Sequence, residues 1–215
     1  MNDQRKWKNW KEIPFVSISL VAINVIVFLI NEFSPMDLFS AGELSVEGVL
    51  VRGEYERFLY SLFLHDGIDH IFNNMVILFF MGTMVEKEIG HFSFGAIYFI
   101  SGFGGSLLSL YVKLIQGISI GSVGASGAIF GLEGLLLSMV LFYRKAMPNV
   151  TPIRVTLMIA LGLYSGMMAD NVDNAAHFGG ILVGLIMGAL LCMAKRFTKG
   201  GPKRRLRLNE EDDED

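Results

Sequence analysis

Long apolar runs separated by short polar stretches dominate the pattern of this chain. Six such runs lie at about 14–32, 68–85, 92–112, 125–143, 153–169 and 175–194. Each is close to the roughly 17–25 residues that a tilted helix needs to cross a bilayer, although the second and fifth are at the short end of that range. The pattern therefore predicts an all-α polytopic membrane protein with a bundle of six transmembrane helices.

The composition agrees with this class. Of the 215 residues, 52% are hydrophobic and 18% are charged, and the mean hydropathy is +0.48. Soluble domains usually contain about a quarter of charged residues. The only cysteine, Cys192, lies in an apolar run, so no intrachain disulfide can form and cysteine usage does not indicate a compartment.

Positive charge predicts the orientation. If the N-terminus is cytoplasmic, 15 of the 18 Lys and Arg residues lie on the cytoplasmic side, and the three outside are Arg52, Arg57 and Lys113. Cytoplasmic loops carry such an excess of Lys and Arg. We therefore expect both termini in the cytoplasm. The expected division is a cytoplasmic segment 1–13, a membrane domain 14–194 and a disordered tail 195–215 that is first basic and then acidic.

The longest loop, about 33–67, then lies outside the membrane and is apolar enough to form short amphipathic helices at the lipid interface. Asp3 and Glu12 argue against an organellar transit peptide, and no small-residue cleavage site follows the first apolar run. Together with the compact six-span plan, this leads us to expect the plasma membrane of a prokaryote.

Two polar residues within the apolar runs need a functional explanation. Ser126 follows a small-residue loop at the start of the fourth run, and His177 lies near the start of the sixth. Polar side chains at membrane depth are costly and are often functional. Under the expected orientation both runs enter from the outside, so a nucleophile and a base lie at the same depth. A serine that only bonds its own helix backbone is the alternative for Ser126 alone.

Glycine spacing explains how these short side chains can meet. Gly127, Gly131 and Gly134 share one face of the fourth run, and Gly180, Gly184 and Gly188 form a similar stripe after His177. Small residues at this spacing let two membrane helices approach closely. With both stripes present, we favour a Ser126–His177 dyad.

The second run supplies further polar groups on the same side. His70 and Asn74 are four residues apart and therefore share a helix face. Side chains of these types can join a backbone N–H in stabilising an oxyanion. His65 precedes them in the loop, where a structural role is expected. The histidines show no zinc-binding spacing and no cysteine pair, so we expect no metal and no cofactor.

These motifs together resemble the rhomboid intramembrane serine proteases over roughly 50–190. The resemblance rests on four segments, namely His65-x4-His70-x3-Asn74, Glu86-x3-Gly90, Gly124-Ala125-Ser126-Gly127 and Ala176-His177-x2-Gly180-x3-Gly184. Three positions depart from the family pattern. Glu56-Arg57 stands for a Trp-Arg pair, Phe130 stands where many members have tyrosine, and Glu133 is an unusual intramembrane acid.

The resemblance implies a six-helix bundle in which Ser126 and His177 are catalytic. It also implies an oxyanion hole made of His70, Asn74 and the backbone N–H of Ser126. Supporting residues would be Gly124, Gly127, Phe130, Gly180 and Gly184, with Phe130 stacking on His177. No third carboxylate is evident near His177, because Asp170 and Asp173 are expected in the outer loop.

The hypothesis is a Ser–His endopeptidase that cleaves transmembrane helices of membrane-protein substrates near the outer face of the bilayer. The fifth helix, with Gly162 and Gly166, is the candidate gate for substrate. Its partners are substrate helices and lipid, and nothing points to nucleic acid. Two alternatives stay open. One is a non-catalytic protein of this fold that binds client helices, and the other is a transporter that uses Asn24, Glu133 and His177.

Overall fold

The structure is a computed structural model, and it describes residues 13–143, 147–169 and 172–199, with side chains described as far as residue 194. The predicted segment before residue 13, the tail from residue 200 and Asp170 lie outside the described residues. The last helix ends at Lys199. The tail expected to begin at residue 195 therefore starts with helical backbone.

The described residues form an all-helical fold, as the apolar pattern predicts. The helices are, in chain order, α1 Phe15–Phe33, α2 Leu38–Gly42, α3 Arg57–Tyr60, α4 Ile68–Ile89, α5 His91–Gln116, α6 Ser126–Phe142, α7 Pro152–Met168 and α8 Asn174–Lys199. Four of them, α1, α4, α5 and α8 as far as Ala194, are long and apolar enough to cross a membrane by length and composition. Two shorter apolar helices, α6 and α7, have 17 residues each.

Helix α6 lies at the centre of the bundle, because α4, α5, α7 and α8 all pack against it. Thirteen of its 17 residues are buried. Leu132, Leu135 and Val140 are fully buried in the apolar core around it. Helix α1 lies at one side of the bundle, where it packs mainly against α4. The most enclosed helix is thus the one that begins with Ser126.

The loop between α1 and α4 contains short helical segments, including α2, α3 and a π-helical turn at Glu47–Val51. The side chain of Arg57 is almost completely buried and connects several parts of this loop. Its guanidinium donates to the carbonyl oxygens of Ser40 and Glu43, both at 2.8 Å, and to the carboxylate of Glu54 at 2.6 Å. Hydrogen bonds from the guanidinium groups of Arg57 and Arg52 lower the pKa of Glu54. The loop is therefore organised around the arginine of the Glu56-Arg57 pair.

Glu86, near the C-terminal end of α4, connects that helix to the start of α1. Its buried carboxylate accepts hydrogen bonds from the backbone N–H groups of Val16 and Ser17 at 3.0 and 2.7 Å. It also accepts one from the Ser17 hydroxyl at 2.6 Å. The first N–H groups of a helix have no partner within the helix, so Glu86 caps α1 from a neighbouring helix.

Candidate active site

Ser126 is the first residue of α6, and the loop before it approaches the site very closely. Gly124 has a φ of +124°, a conformation that side-chain-bearing residues rarely adopt. A Cβ at this position would lie 2.8 Å from Nε2 of His70. Both the backbone conformation and the space therefore require glycine two residues before the serine. The N–H groups of the first turn of α6 have no acceptor within the helix.

His177 lies in the first turn of α8 and is 5% exposed. Its Nε2 lies 2.9 Å from Oγ of Ser126, which is hydrogen-bond distance. The ring of Phe130 stacks on the imidazole, with centroids 4.2 Å apart and planes at 27°. The structure thus brings the predicted serine and histidine together and stacks the ring of Phe130 on the imidazole.

The two glycine stripes form the closest helix contact of the site. A Cβ added at Gly180 would overlap the carbonyl oxygen of Gly127, and one added at Gly184 would overlap that of Gly131. The α6 and α8 backbones therefore touch directly, which small residues permit in membrane helices. Because both side chains of the Ser126–His177 pair are short, this backbone proximity is what allows their hydrogen bond.

His70 and Asn74 face the same loop from α4. A Cβ at Gly124 would lie 2.8 Å from Nε2 of His70 and 3.8 Å from Nδ2 of Asn74. The backbone N–H of Asp66 donates to Nδ1 of His70 at 3.4 Å, so the neutral ring carries its proton on Nε2. Nδ2 of Asn74 is buried without a hydrogen-bond partner among the described residues. Two donors therefore face the loop that precedes Ser126.

His65 contacts this loop as well. Its ring is 1% exposed, and its Nε2 lies 3.5 Å from the backbone N–H of Ala125, the residue before Ser126. The rings of His65 and His70 lie edge to face, with centroids 5.0 Å apart. Burial is the main cause that lowers the pKa of His65 to about 4, and the charge of the nearby His70 contributes less. A neutral His65 therefore contacts the loop before Ser126, and its structural role stays a prediction.

Asp173 makes contacts that the sequence did not indicate. It lies in the connection before α8, as expected, but its carboxylate points into the protein and accepts hydrogen bonds from Ser109 and Ser122. Burial alone would raise the pKa of Asp173. The hydrogen bonds from the two hydroxyls and from the N–H of Ala176, together with the charge of Lys113, outweigh burial and lower the pKa. A partly buried carboxylate, whose side chain is 17% exposed, therefore lies one turn before His177.

Glu133 is the other unusual acid, and it is 3% exposed within α6. Within the described part of the chain its Oε2 is buried and has no hydrogen-bond partner. No group of three or more His, Cys, Asp or Glu that could hold a metal occurs among the residues the structure describes. A cleft of about 950 Å³ lies between the α1–α4 loop and the end of α5, lined by residues such as Glu43, Arg57 and Lys113. That cleft does not include Ser126 or His177.

Comparison with known sequences agrees with this geometry. The family profile described as the Rhomboid domain matches residues 52–194, about two thirds of the chain. The chain belongs to the rhomboid family. As a rhomboid it is a multi-pass membrane protein, in keeping with its long apolar helices.

Named relatives extend the comparison. This rhomboid is 38% identical over 167 residues to RHOMBOID-like protein 4 of Arabidopsis thaliana, covering 76% of this chain and 41% of that protein. It is 31% identical over 189 residues to rhomboid protease GluP of Bacillus subtilis, covering 85% of this chain and 36% of GluP. It is also 31% identical over 203 residues to rhomboid protease AarA of Providencia stuartii, covering 80% of this chain and 70% of AarA. The chain therefore spans less than half the length of the first two relatives.

Proposed function

We propose that this rhomboid is an intramembrane serine endopeptidase that uses Ser126 and His177 as a catalytic dyad. The observation that carries the proposal is the 2.9 Å separation of Ser126 Oγ and His177 Nε2 across two helices whose backbones are in contact. This distance lies within the range expected for a nucleophile and its base. Membership of a family whose proteases act inside membranes supports the same reaction class.

In the proposed mechanism, neutral His177 accepts the hydroxyl proton of Ser126 at Nε2 as Oγ attacks the scissile carbonyl carbon. The tetrahedral oxyanion is stabilised by Nε2–H of His70, Nδ2–H of Asn74 and the backbone N–H of Ser126. His177 then protonates the leaving amine, and the C–N bond breaks. A water molecule activated by the same imidazole hydrolyses the acyl-enzyme and restores the serine.

The proposed substrates are transmembrane helices of other membrane proteins. A peptide bond within a helix is shielded by its own hydrogen bonds, so we expect cleavage near Gly or Pro residues that weaken the helix. The proposed entry route is movement of α7, which buries only Val155, Ile159 and Gly166. A cross-link between α4 and α7 is expected to abolish cleavage of a transmembrane substrate, and unchanged cleavage would contradict the gate.

We further propose six membrane-spanning helices with both termini in the cytoplasm of a prokaryote, so that Ser126 faces the outer half of the plasma membrane. Reporter cysteines at two exposed positions test this topology. In a Cys192→Ala background, Glu47→Cys in the α1–α4 loop should react with a membrane-impermeant maleimide in intact cells, and Asn149→Cys between α6 and α7 should not. The opposite labelling pattern would reverse the orientation.

The decisive test of activity is labelling by a fluorophosphonate probe together with cleavage of a tagged transmembrane substrate. Ser126→Ala should abolish both. Ser138→Ala is the matched control, because Ser138 is a buried serine on the same helix whose hydroxyl bonds the carbonyl of Leu185 at 2.7 Å. Labelling that persists in Ser126→Ala would reject the dyad. A wild-type protein that binds client helices without labelling would be a non-catalytic member of the fold, and ion flux in liposomes would indicate a transporter.

A further inference from the structure

Four polar side chains outside the proposed dyad form one connected cluster at the end of the bundle where Ser126 and His177 lie. We call them the Asp173 cluster; its members are Ser109 and Lys113 of α5, Ser122 of the loop before α6, and Asp173 before α8. The carboxylate of Asp173 accepts hydrogen bonds from both serine hydroxyls. Nζ of Lys113 donates to Oγ of Ser122 at 2.5 Å and lies 3.8 Å from the carboxylate. The cluster therefore connects three separate segments.

Asp173 determines how α8 begins. Its Oδ1 accepts the backbone N–H of Ala176 at 3.0 Å, and its carbonyl oxygen accepts the N–H of His177 at 3.3 Å. This is the arrangement of an aspartate N-cap. The backbone of His177 is thus bonded directly to the residue whose carboxylate holds the cluster.

Ser122 attaches the loop that leads to Ser126. Its hydroxyl donates to Asp173 and accepts from Lys113, while its backbone exchanges two 2.9 Å hydrogen bonds with Leu44. Lys113 also donates to the carbonyl oxygen of Ile120 at 2.6 Å. The loop is therefore held immediately before Gly124 and the serine.

The two members on α5 are buried, with Ser109 at 0% and Lys113 at 7% exposure, whereas Ser122 and Asp173 are partly buried. In such surroundings a charge without its partner is unfavourable, so Lys113 and Asp173 depend on each other. The glycine stripes fix the approach of the α6 and α8 axes, whereas the cluster holds the loop and the first turn, where the reacting atoms lie. A small displacement of reacting groups can reduce a rate about 100-fold.

We propose that Asp173 is a positioning residue that sets the Ser126-bearing loop against the first turn of α8 through the hydroxyls of Ser122 and Ser109. The proposal rests on the proposed dyad function. Asp173 does not take part in proton transfer; it acts by fixing where Ser126 and His177 stand relative to each other.

The test is the rate and final stoichiometry of fluorophosphonate labelling of the purified full chain, with thermal unfolding measured in parallel. Asp173→Asn keeps a good N-cap residue but gives up a carboxylate oxygen that accepts from the serines. We expect full labelling stoichiometry with a rate constant at least about 10-fold lower. Asp37→Asn is the matched control, since Asp37 caps α2 through Ser40 in the exposed part of the loop. It should label at the wild-type rate.

A double variant separates positioning from simple neutralisation of a buried charge. Asp173→Asn with Lys113→Met removes both charges, together with the hydrogen bonds that Lys113 donates to Ser122 and Ile120. If the slow labelling of Asp173→Asn came only from the unpaired charge of Lys113, the double variant would label at the wild-type rate; we expect its labelling rate to stay low. A rate that returns to the wild-type value would overturn the proposal, and so would reduced stoichiometry with an unchanged rate constant, which is the mark of partial misfolding. If wild type labels and Asp173→Asn labels equally fast, only the positioning role falls. If wild type does not label at all, the dyad function fails first and the positioning role falls with it.

Discussion

Helices α6 and α7 have the same length but opposite surroundings. Thirteen residues of α6 are buried, whereas α7 buries only three. The apolar side chains of α7 mostly face outwards, with Leu161 at 65% and Met168 at 67% exposure. Such exposure costs little in a membrane, because lipid tails are as apolar as leucine. The serine thus lies on a helix enclosed on all sides, and the candidate gate is a helix with few buried contacts.

The two helices also differ in what they touch. Glycines of α6 meet the backbone of α8, which cannot move aside. Gly162 of α7 instead faces the end of the Phe130 ring, where an added Cβ would lie 2.9 Å from Cζ. A side-chain tip can shift by rotation, whereas packed backbones shift only with the whole helix. Three of the four predictions below test the contrast between a rigid α6–α8 pair and an adjustable α7 contact, and one concerns the loop before α6.

The largest effect is expected at Gly184. Gly184→Ala places a methyl group against the carbonyl oxygen of Gly131, so the helices must separate. We expect a loss of about 3 kcal/mol or more in the free energy of unfolding and a roughly 100-fold loss of cleavage. Thermal unfolding and substrate cleavage measure the two effects. Gly95→Ala is the control, because its added Cβ would lie 3.6 Å from Val16, an ordinary contact distance. If both variants lose stability and cleavage to a similar extent, the α6–α8 contact is not rigid.

A smaller effect is expected at Phe130. Phe130→Leu keeps an apolar side chain but removes the ring stacked on His177. Stacked aromatic pairs contribute about 0.5–1.5 kcal/mol, so we expect roughly a 10-fold lower cleavage rate. The free energy of unfolding should change little. Phe142→Leu, at the exposed end of the same helix, should cleave at the wild-type rate. An unchanged rate in Phe130→Leu would show that the imidazole is oriented by other contacts.

The third prediction concerns pH and the loop before Ser126. The pKa of His65 is lowered to about 4, whereas an unfolded histidine titrates near 6.5. The unfolded state therefore binds the proton more readily, and stability is lost as the pH falls below about 6.5. Unfolding at pH 5.5 should be easier than at pH 7.5 by about 1 kcal/mol from this residue. Thermal unfolding of His65→Gln should show a correspondingly weaker pH dependence, and identical pH profiles would contradict this contribution.

The smallest effect is expected on α7. Gly162→Ala meets only the tip of Phe130, so we expect a change below about 1 kcal/mol in unfolding and less than about 3-fold in cleavage. The same two assays as for Gly184→Ala allow a direct comparison. If Gly162→Ala and Gly184→Ala lower stability and cleavage equally, the proposed contrast between a rigid α6–α8 contact and an adjustable α7 contact is wrong.

Local patterns predicted much of the fold. The six apolar runs agree with six apolar helices, four long and two shorter, to within about five residues, because a continuous apolar run favours a helix that can be buried or face lipid. The glycine spacing on the fourth and sixth runs correctly indicated close helix packing. Residue type and spacing also identified Ser126 and His177 as a pair, and the structure places them in hydrogen-bond contact. Their catalytic roles stay predictions.

The Asp173 cluster was not predictable in the same way. Asp173 lies 64 residues from Ser109 and 51 from Ser122 along the chain, and no periodic pattern links them. Single serines and an acid next to a helix have the same local sequence whether they face water or one another. The contact of His65 with Ala125, 60 residues away, was not predictable for the same reason.

The sequence by itself determined which segments are helices, which two helices can approach closely and which polar residues need an explanation. Tertiary structure alone decided which polar atoms meet, because hydrogen bonds require distances near 3 Å and no local pattern specifies them across separate segments. Apolar helices bury or expose their side chains according to neighbours rather than composition, so only the packed bundle distinguished the enclosed α6 from the exposed α7.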